Sequence, residues 1–272
     1  MNNSIIQEIK SLPPLSKTVI DVIEYSKHEN KTVEGLLELI QDDSLLIASL
    51  LKISNSALFG FKNKVTDVKN MINLLGVNFT ISLILANSIE NSFKADFSPY
   101  GISANSFKHT TLIAIKLMQF WISQIDIELK NRLVLPAILM NLGKYLIASN
   151  LIKTDQGDEF LANIQKDILD IDKVEKQFCG YTALEVTVLL LEHWKIDLDI
   201  IDYLKYMSNM DDSPSYLSQS VKILEVVYII CNISAPCDEY VIENAINQAQ
   251  QYNLDIASLK NAIELTSDLV KD

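Results

Sequence analysis

Apolar residues recur at three- and four-residue intervals along nearly the whole chain, and this periodicity constrains the fold more than any other feature. Val19, Val22 and Ile23 show it near the N-terminus, and Leu36, Leu37 and Ile40 repeat it. Such spacing puts apolar side chains on one face of an α-helix. No segment alternates apolar and polar residues for long, as a half-buried strand would. With only 7 Gly and 6 Pro in 272 residues, turn residues are also few for a sheet-rich fold. We predict an all-α protein.

Helix-start signals divide the chain into many short helices. A Ser, Thr or Asp before an apolar-periodic run can accept a hydrogen bond from a free amide of the first turn. The predicted caps are Thr32, Asp43, Thr66 or Asp67, Thr182 in a capping box with Glu185, and Ser213 followed by Pro214.

The stretch KADFSPYGISANS is the best domain boundary, because Pro99 and Gly101 fall there among small polar residues. We therefore predict two parts. Residues 1–98 form an N-terminal helical layer, which packs on a helical bundle formed by residues 99–272.

Asn70–Ile89 is the one stretch that raises the question of a membrane span, because it carries no charged residue. Its Asn, Ser, Thr and Gly residues suit lipid poorly. We predict two short buried helices that meet near Gly76. The N-terminus MNNSIIQEIK lacks the basic and apolar regions of a signal peptide. We expect a soluble, cytoplasmic protein without membrane partners.

The net charge of −12 and the pI of about 4.7 argue against nucleic acid as a partner. Non-specific binding to nucleic acid depends on Lys and Arg side chains that neutralise phosphates. Of the 23 basic residues, Arg132 is the only Arg, so bidentate phosphate contacts have one candidate.

Few residues suggest chemistry. The chain has three His and three Cys, and it contains no CxxC, HExxH, GxSxG or GxGxxG motif. His28, His109 and His193 lie in separate predicted helices. His109 is the most interesting, because its helix is expected to pack on the segment LMNLGKYLI, residues 139–147.

Three segments together resemble the HDOD domain, the HD-related output domain of bacterial signalling proteins. They are LPPL, EGLLELIQDDSLLIASLLKISNSALFGF and VKNMINLLGVNFTISLILANSI. The family pattern D(P/S)xLxxxLLxxxNSAxxG, followed by a later LG pair, is matched by Asp43-Ser44, Leu51, Asn55-Ser56-Ala57, Gly60 and Leu75-Gly76. The resemblance extends from Ser11 to about Ala235.

The second half is similar to the HD-type bundle of metal-dependent phosphohydrolases, to which the family is related. Their ions bind a His on one helix, a His-Asp pair on another and a later Asp. His109 matches the first position. AILMNLGKYL aligns with (A/G)xLLHDIGKxxL, so Met140 and Asn141 replace the His-Asp pair, and Ala183 stands where another His often lies. A thioether and a neutral amide do not balance a divalent charge. We expect no metal, no cofactor and no catalytic residue.

The resemblance implies a non-catalytic signalling module that acts on other signalling proteins in trans. The loop NSALFGFKNK supplies a candidate contact surface, because apolar residues ringed by charge suit an interface. Its members are Leu58, Phe59, Phe61, Lys62 and Lys64. The alternative is that both aromatic rings pack into the core.

Two further functions stay open at this stage. One is a divergent HD-type phosphohydrolase or a phosphodiesterase acting on nucleotides or cyclic dinucleotides. The other is a pseudoenzyme that senses a nucleotide in the former metal pocket, with His109, Asn141 and Lys144 as polar contacts. Homodimerisation through exposed helices is also left open.

Overall fold

The computed structural model describes residues 3–56, 59, 61–94, 96–196, 198–209 and 213–267. Over these ranges the regular structure is helical and contains no β-strand. The all-α prediction is therefore confirmed.

The chain forms two compact units. The smaller unit is Pro13–Phe93, and the larger combines Met1–Leu12 with Lys94–Asp272. The predicted boundary between residues 98 and 99 stays a prediction. The first helix belongs to the larger unit, where Glu8 pairs with Lys153 at 2.8 Å and accepts a 2.8 Å hydrogen bond from Ser149.

The smaller unit contains five helices within its described residues: α2 Lys17–Ser26, α3 Val33–Ile40, α4 Ser44–Ser54, α5 Val68–Leu75 and α6 Val77–Glu90. Thr32 caps α3, Asp43 caps α4 and Asp67 caps α5, each through its side-chain oxygen. These caps are as predicted, and Asp67 rather than Thr66 fills the third position.

The uncharged stretch from 70 to 89 forms two helices that meet at an angle of 113°. Gly76 lies between α5 and α6 with φ of +87°, a conformation that side chains disfavour. Residues 79 to 86 of α6 are all buried, as expected for a helix that is apolar on every side. The prediction of two short helices that meet near Gly76 is confirmed, and α6 is buried as expected, whereas α5 buries one face only and leaves Leu74 51% exposed.

The larger unit holds α1 Asn3–Ser11, a 3-10 turn Ser98–Tyr100, α7 Ala104–Leu117, a π-helical turn Met118–Ile122, α8 Ser123–Ile125, α9 Ile127–Leu139, α10 Gly143–Lys153, α11 Gly157–Ile164, α12 Ile171–Cys179, α13 Ala183–His193, α14 Leu198–Ser208, α15 Ser215–Ile230, α16 Glu239–Gln251 and α17 Ile256–Ser267. α9 and α10 with their connecting turn are long and apolar enough to cross a membrane. However, 89% of that segment's most apolar window is buried inside the protein, as in a core helix.

The segment around the 3-10 turn contributes to the core of the larger unit, although its composition suggests a linker. Phe97 and Tyr100 are each 1% exposed. Phe97 stacks on Phe107 with a 4.1 Å centroid distance, and Tyr100 meets Phe160 edge to face. Aromatic packing therefore holds this polar-looking stretch in place.

Of the two helix N-termini predicted in the second half of the chain, the cap of one is confirmed and the cap of the other is wrong. Thr182 and Glu185 form the capping box that begins α13, as predicted. The Ser213 cap is wrong, because α15 begins at Ser215, its N-cap residue is Pro214, and none of the described side chains caps it. Ser213 lies two residues before the helix, and its buried hydroxyl has no hydrogen-bond partner among the described residues.

Candidate functional site

Gly143 is the residue that brings two helices of the site together. It opens α10 directly after the turn formed by residues 140–142. A Cβ at this position would lie 2.0 Å from the carbonyl oxygen of Ala183 and 2.9 Å from Cβ of Val186, both on α13. The glycine is therefore required for the close approach of α10 and α13.

Thr187 joins the same two helices by hydrogen bonds. The N–H of Gly143 donates to its Oγ1 at 2.8 Å. The Thr187 hydroxyl donates to the carbonyl of Ala183 at 2.8 Å, and the carbonyl of Met140 lies 3.3 Å away. The free amide at the start of α10 is thus satisfied by a side chain, as a buried helix terminus requires.

The centre of the site is an ion pair buried beneath this junction. Nζ of Lys144 on α10 lies 2.8 Å from Oε1 of Glu175 on α12, and the two side chains are 3% and 0% exposed. Two charges removed from water are costly unless other groups satisfy the remaining donors and acceptors.

Glu175 has those additional partners. Tyr100 donates from its hydroxyl to Oε1 at 2.8 Å, and the N–H of Ala183 donates to Oε2 at 2.6 Å. All three polar partners of Glu175 are donors, so it acts as a carboxylate. Ala183 is also the first residue of α13, where the helix dipole favours a negative charge. Burial raises the pKa of Glu175, while the Lys144 ammonium and the Ala183 N–H act against that rise.

Two tyrosines enclose the ammonium group. Nζ of Lys144 lies 5.3 Å from the ring centroid of Tyr100 and 5.8 Å from that of Tyr228, within cation–π range. Burial raises the pKa of both hydroxyls well above the usual value, so both remain protonated donors. Tyr228 donates to Oδ1 of Asp172 at 2.7 Å, which brings a second carboxylate near the pair.

A small cavity of about 60 Å³ borders this network. Its lining comes from α10 and the turn before it, from α12 and the loop before it, from the end of α15 with its following loop, and from α16. The lining residues are Asn141, Lys144, Leu169, Ile171, Asp172, Tyr228, Ile229, Cys231, Asn232, Ile233 and Asn244.

The structure brings only some of the sequence-selected residues together. Asn141 and Lys144 line the cavity, whereas Met140 and Ala183 contribute backbone groups to the Thr187 and Glu175 networks. His109 lies half-buried on α7 and is not among the described residues that line the cavity. Of the three predicted pocket residues, Asn141 and Lys144 therefore line the cavity and His109 does not.

The residues at these positions do not fit a divalent metal ion. The buried carboxylate, Glu175, is already bonded to an ammonium, a phenol and an amide, and the nearby side chains of Met140 and Ala183 supply no hard ligand. Within the described parts of the chain, no group of three or more His, Cys, Asp or Glu residues is placed to hold a metal.

Glu175 and Tyr100 are among the site residues that sequence analysis missed, together with Thr187, Asp172 and Tyr228. A signal for Glu175 was present: Ile171, Glu175 and Cys179 recur every four residues and share the buried face of α12. A charged residue in an apolar stripe needs a partner, since isolated buried charges are costly. Tyr100 had no comparable signal.

The candidate contact loop lies in the smaller unit. Phe59 and Phe61 are half-buried and stack at 5.8 Å, and Phe59 also meets Phe79 edge to face. Lys62 and Lys64 are exposed. Both rings are therefore partly buried and partly exposed. Leu58, the fifth member of this surface, is outside the described residues.

Asn55 holds the base of the loop. Its side-chain amide donates to the carbonyl of Val65 at 2.7 Å and accepts from the N–H of Val65 at 2.8 Å. It also donates to the carbonyl of Leu51. An asparagine side chain that bonds both backbone groups of one residue mimics a strand partner and fixes the two ends of the loop.

The comparison with protein families identifies residues 12–210 as matching the HDOD domain. This match covers most of the chain. No curated protein sequence matches this chain.

Three solved structures are similar over nearly the whole chain. A virulence factor from Campylobacter jejuni subsp. jejuni is 26% identical, with a TM-score of 0.58 and coverage of 96% of this chain and 95% of that one. A protein from Shewanella amazonensis SB2B, named as a candidate phosphohydrolase, is 19% identical, with a TM-score of 0.67 and coverage of 99% and 94%. A candidate signal transduction protein from Marinobacter aquaeolei VT8 is 14% identical, with a TM-score of 0.64 and coverage of 98% and 62%.

Proposed function

The chain belongs to the HDOD domain family, and on that premise we propose that it is a non-catalytic regulatory module of bacterial signal transduction. It acts in the cytoplasm by binding other signalling proteins. The observation that carries the proposal is the buried Lys144–Glu175 pair. It places a fixed ammonium, rather than a set of free ligands, beside the positions that resemble the metal-binding helix.

A metal-dependent hydrolase needs an ion that binds water or a phosphate oxygen in an open coordination position. Here the side chains at the resembling positions are Met140, Asn141 and Ala183, and the nearest buried carboxylate has three donors. The name of the Shewanella amazonensis neighbour keeps hydrolysis as the competing function. At 19% identity, that likeness concerns the fold alone.

The proposed contact surface is formed by Phe59, Phe61, Lys62 and Lys64, which we call the loop surface. Its two aromatic rings are half-buried on the smaller unit, and its lysines are exposed. Aromatic residues often dominate binding energy at interfaces. In this acidic protein, two lysines beside the rings favour a partner that presents acidic side chains.

We expect the double variant Phe59→Ser, Phe61→Ser to lose its specific partners while it keeps its fold. Loss of an aromatic anchor typically costs about 2 kcal/mol or more of binding free energy, or roughly thirtyfold in affinity. The measurement is quantitative mass spectrometry of proteins captured from the source cells by the wild type and the variant. Circular dichroism verifies the fold.

The matched control is Phe93→Ser, which changes a half-buried aromatic at the end of the same unit. It is expected to retain the partners. Unchanged capture by the loop variant would refute the assignment of the loop surface. If the loop change instead converted a dimer to a monomer in size-exclusion chromatography, the partner would be a second copy of this chain.

A further inference from the structure

The lining of the cavity beside Lys144 includes a polar group that has no hydrogen-bond partner in the described part of the chain. Asn141 is 5% exposed, and none of the described residues forms a hydrogen bond with its side-chain oxygen Oδ1. An unmade hydrogen bond of a buried group destabilises the folded state. The side chain lines the cavity together with Lys144 and Asp172, so a molecule in the cavity can supply the missing donor.

The charges around the cavity disfavour an anionic occupant. Lys144 is already balanced by Glu175 at 2.8 Å. Asp172 adds a further negative charge to the lining. An anion would meet the carboxylate of Asp172 without an uncompensated cation, and repulsion between like charges would disfavour it.

The arrangement of donors and acceptors specifies the chemical group. Oδ1 of Asn141 requires a donor, whereas the Lys144 ammonium has three N–H groups and Glu175 takes one. A hydroxyl group both donates and accepts. The carboxylate of Asp172 accepts one hydrogen bond from Tyr228 and has room for another from a neighbouring hydroxyl.

We propose that this cavity binds the vicinal diol of a neutral sugar-type ligand, which goes beyond the proposed function. One hydroxyl lies between Asn141 and Lys144, and the adjacent hydroxyl donates to Asp172. The ring of Tyr228 supplies an apolar wall. A volume of about 60 Å³ corresponds to roughly four or five water-sized positions. That space suits the diol edge of one sugar ring, and the rest of the ligand extends through the open side.

The diol has two sources, a free sugar or the ribose of a nucleoside, and the test separates them. D-Ribose, uridine and 2′,3′-dideoxyuridine are titrated into the full chain, and binding is followed by saturation-transfer NMR. We expect saturable binding of ribose, uridine or both, and no saturation with dideoxyuridine. Binding by ribose alone identifies a free sugar, whereas much tighter binding of uridine identifies a nucleoside.

Two variants locate the binding site. Asn141→Leu keeps a similar volume but removes the acceptor, and Asp172→Asn removes the charge. Each is expected to weaken binding about tenfold, the effect of one lost hydrogen bond of about 1.4 kcal/mol. Asn105→Leu on the exposed side of α7 is the control and leaves binding unchanged.

Three results would overturn this site. One is the absence of saturation with both ribose and uridine up to about 20 mM, weaker than any useful affinity. The second is equal binding of uridine and its dideoxy form. The third is undiminished binding by Asn141→Leu, which would mean that the unpaired amide is a packing feature only. None of these results bears on partner binding, so a failure of the proposed diol site can be distinguished from a failure of the proposed function.

Discussion

Replacing Gly143 with Ala is expected to lower the free energy of unfolding by about 3 kcal/mol or more, at the upper end of overpacking effects. The new Cβ would lie 2.0 Å from the backbone oxygen of Ala183, and a backbone atom cannot rotate away as a flexible side chain can. α10 and α13 must separate, which also weakens the hydrogen bond from the Gly143 N–H to Thr187. Urea denaturation followed by circular dichroism measures the change.

Gly157→Ala is the matched control, because this glycine also begins a helix of the larger unit. A Cβ there would lie 3.5 Å from Cγ of Pro99, an ordinary contact. The change is expected to be neutral or to stabilise the protein by up to about 1 kcal/mol, through loss of freedom in the unfolded chain. Equal stability losses at both positions would show that the effect at Gly143 is not caused by its contact with α13.

Lys144→Met is expected to destabilise the protein by about 3–5 kcal/mol at pH 8, because it leaves Glu175 buried without a counter-charge. Met preserves much of the length and packing of the lysine stem between the two tyrosine rings. Equilibrium unfolding in urea gives the free energy. A loss below about 1 kcal/mol, typical of exposed pairs, would contradict the buried ion pair.

The cost of Lys144→Met should decrease as the pH falls from 8 to 5. Burial raises the pKa of Glu175, so the folded state binds its proton more tightly than the unfolded chain does. This tighter proton binding stabilises the folded state. The stabilisation is complete below the pKa that Glu175 has in the unfolded chain, and it is lost as the pH rises through the pKa that Glu175 has in the folded state. Without Lys144, the pKa of Glu175 in the folded state rises further, so this pH dependence extends over a wider pH range in the variant. A cost that is independent of pH would contradict this linkage.

The double variant Lys144→Met, Glu175→Gln is expected to recover most of the loss at pH 8. No buried charge remains, and the amide oxygen of the new Gln can still accept from the N–H of Ala183. A remaining cost of about 1 kcal/mol reflects an imperfect partner for the Tyr100 hydroxyl. The double-mutant cycle isolates the coupling of the two charges. Additive single effects would mean that the pair contributes nothing as a pair.

Much of the fold could be predicted because it depends on local chemistry. Thr32, Asp43 and Thr182 act as caps through hydrogen bonds to residues three positions away, and such signals are readable in a sequence.

The parts of the site that could not be predicted depend on contacts between segments far apart in the sequence. Glu175 meets Lys144 across 31 positions and Tyr100 across 75, and no local pattern encodes those separations. The stretch around Pro99 has the composition of a linker, yet its aromatic side chains are buried in the larger unit. Composition indicates where a chain turns. It does not indicate whether the turning segment packs against other helices.

Metal content is the most direct test of the central claim that the Lys144–Glu175 pair, and not a metal ion, fills the interior of this site. The chain is purified without tags or chelators and analysed by inductively coupled plasma mass spectrometry. We predict less than about 0.1 equivalent of any transition metal, since a structural or catalytic ion of useful affinity would survive purification. A stoichiometry near one or two equivalents, lost together with hydrolysis of a cyclic dinucleotide on chelation, would contradict the account and establish the chain as a metal-dependent enzyme.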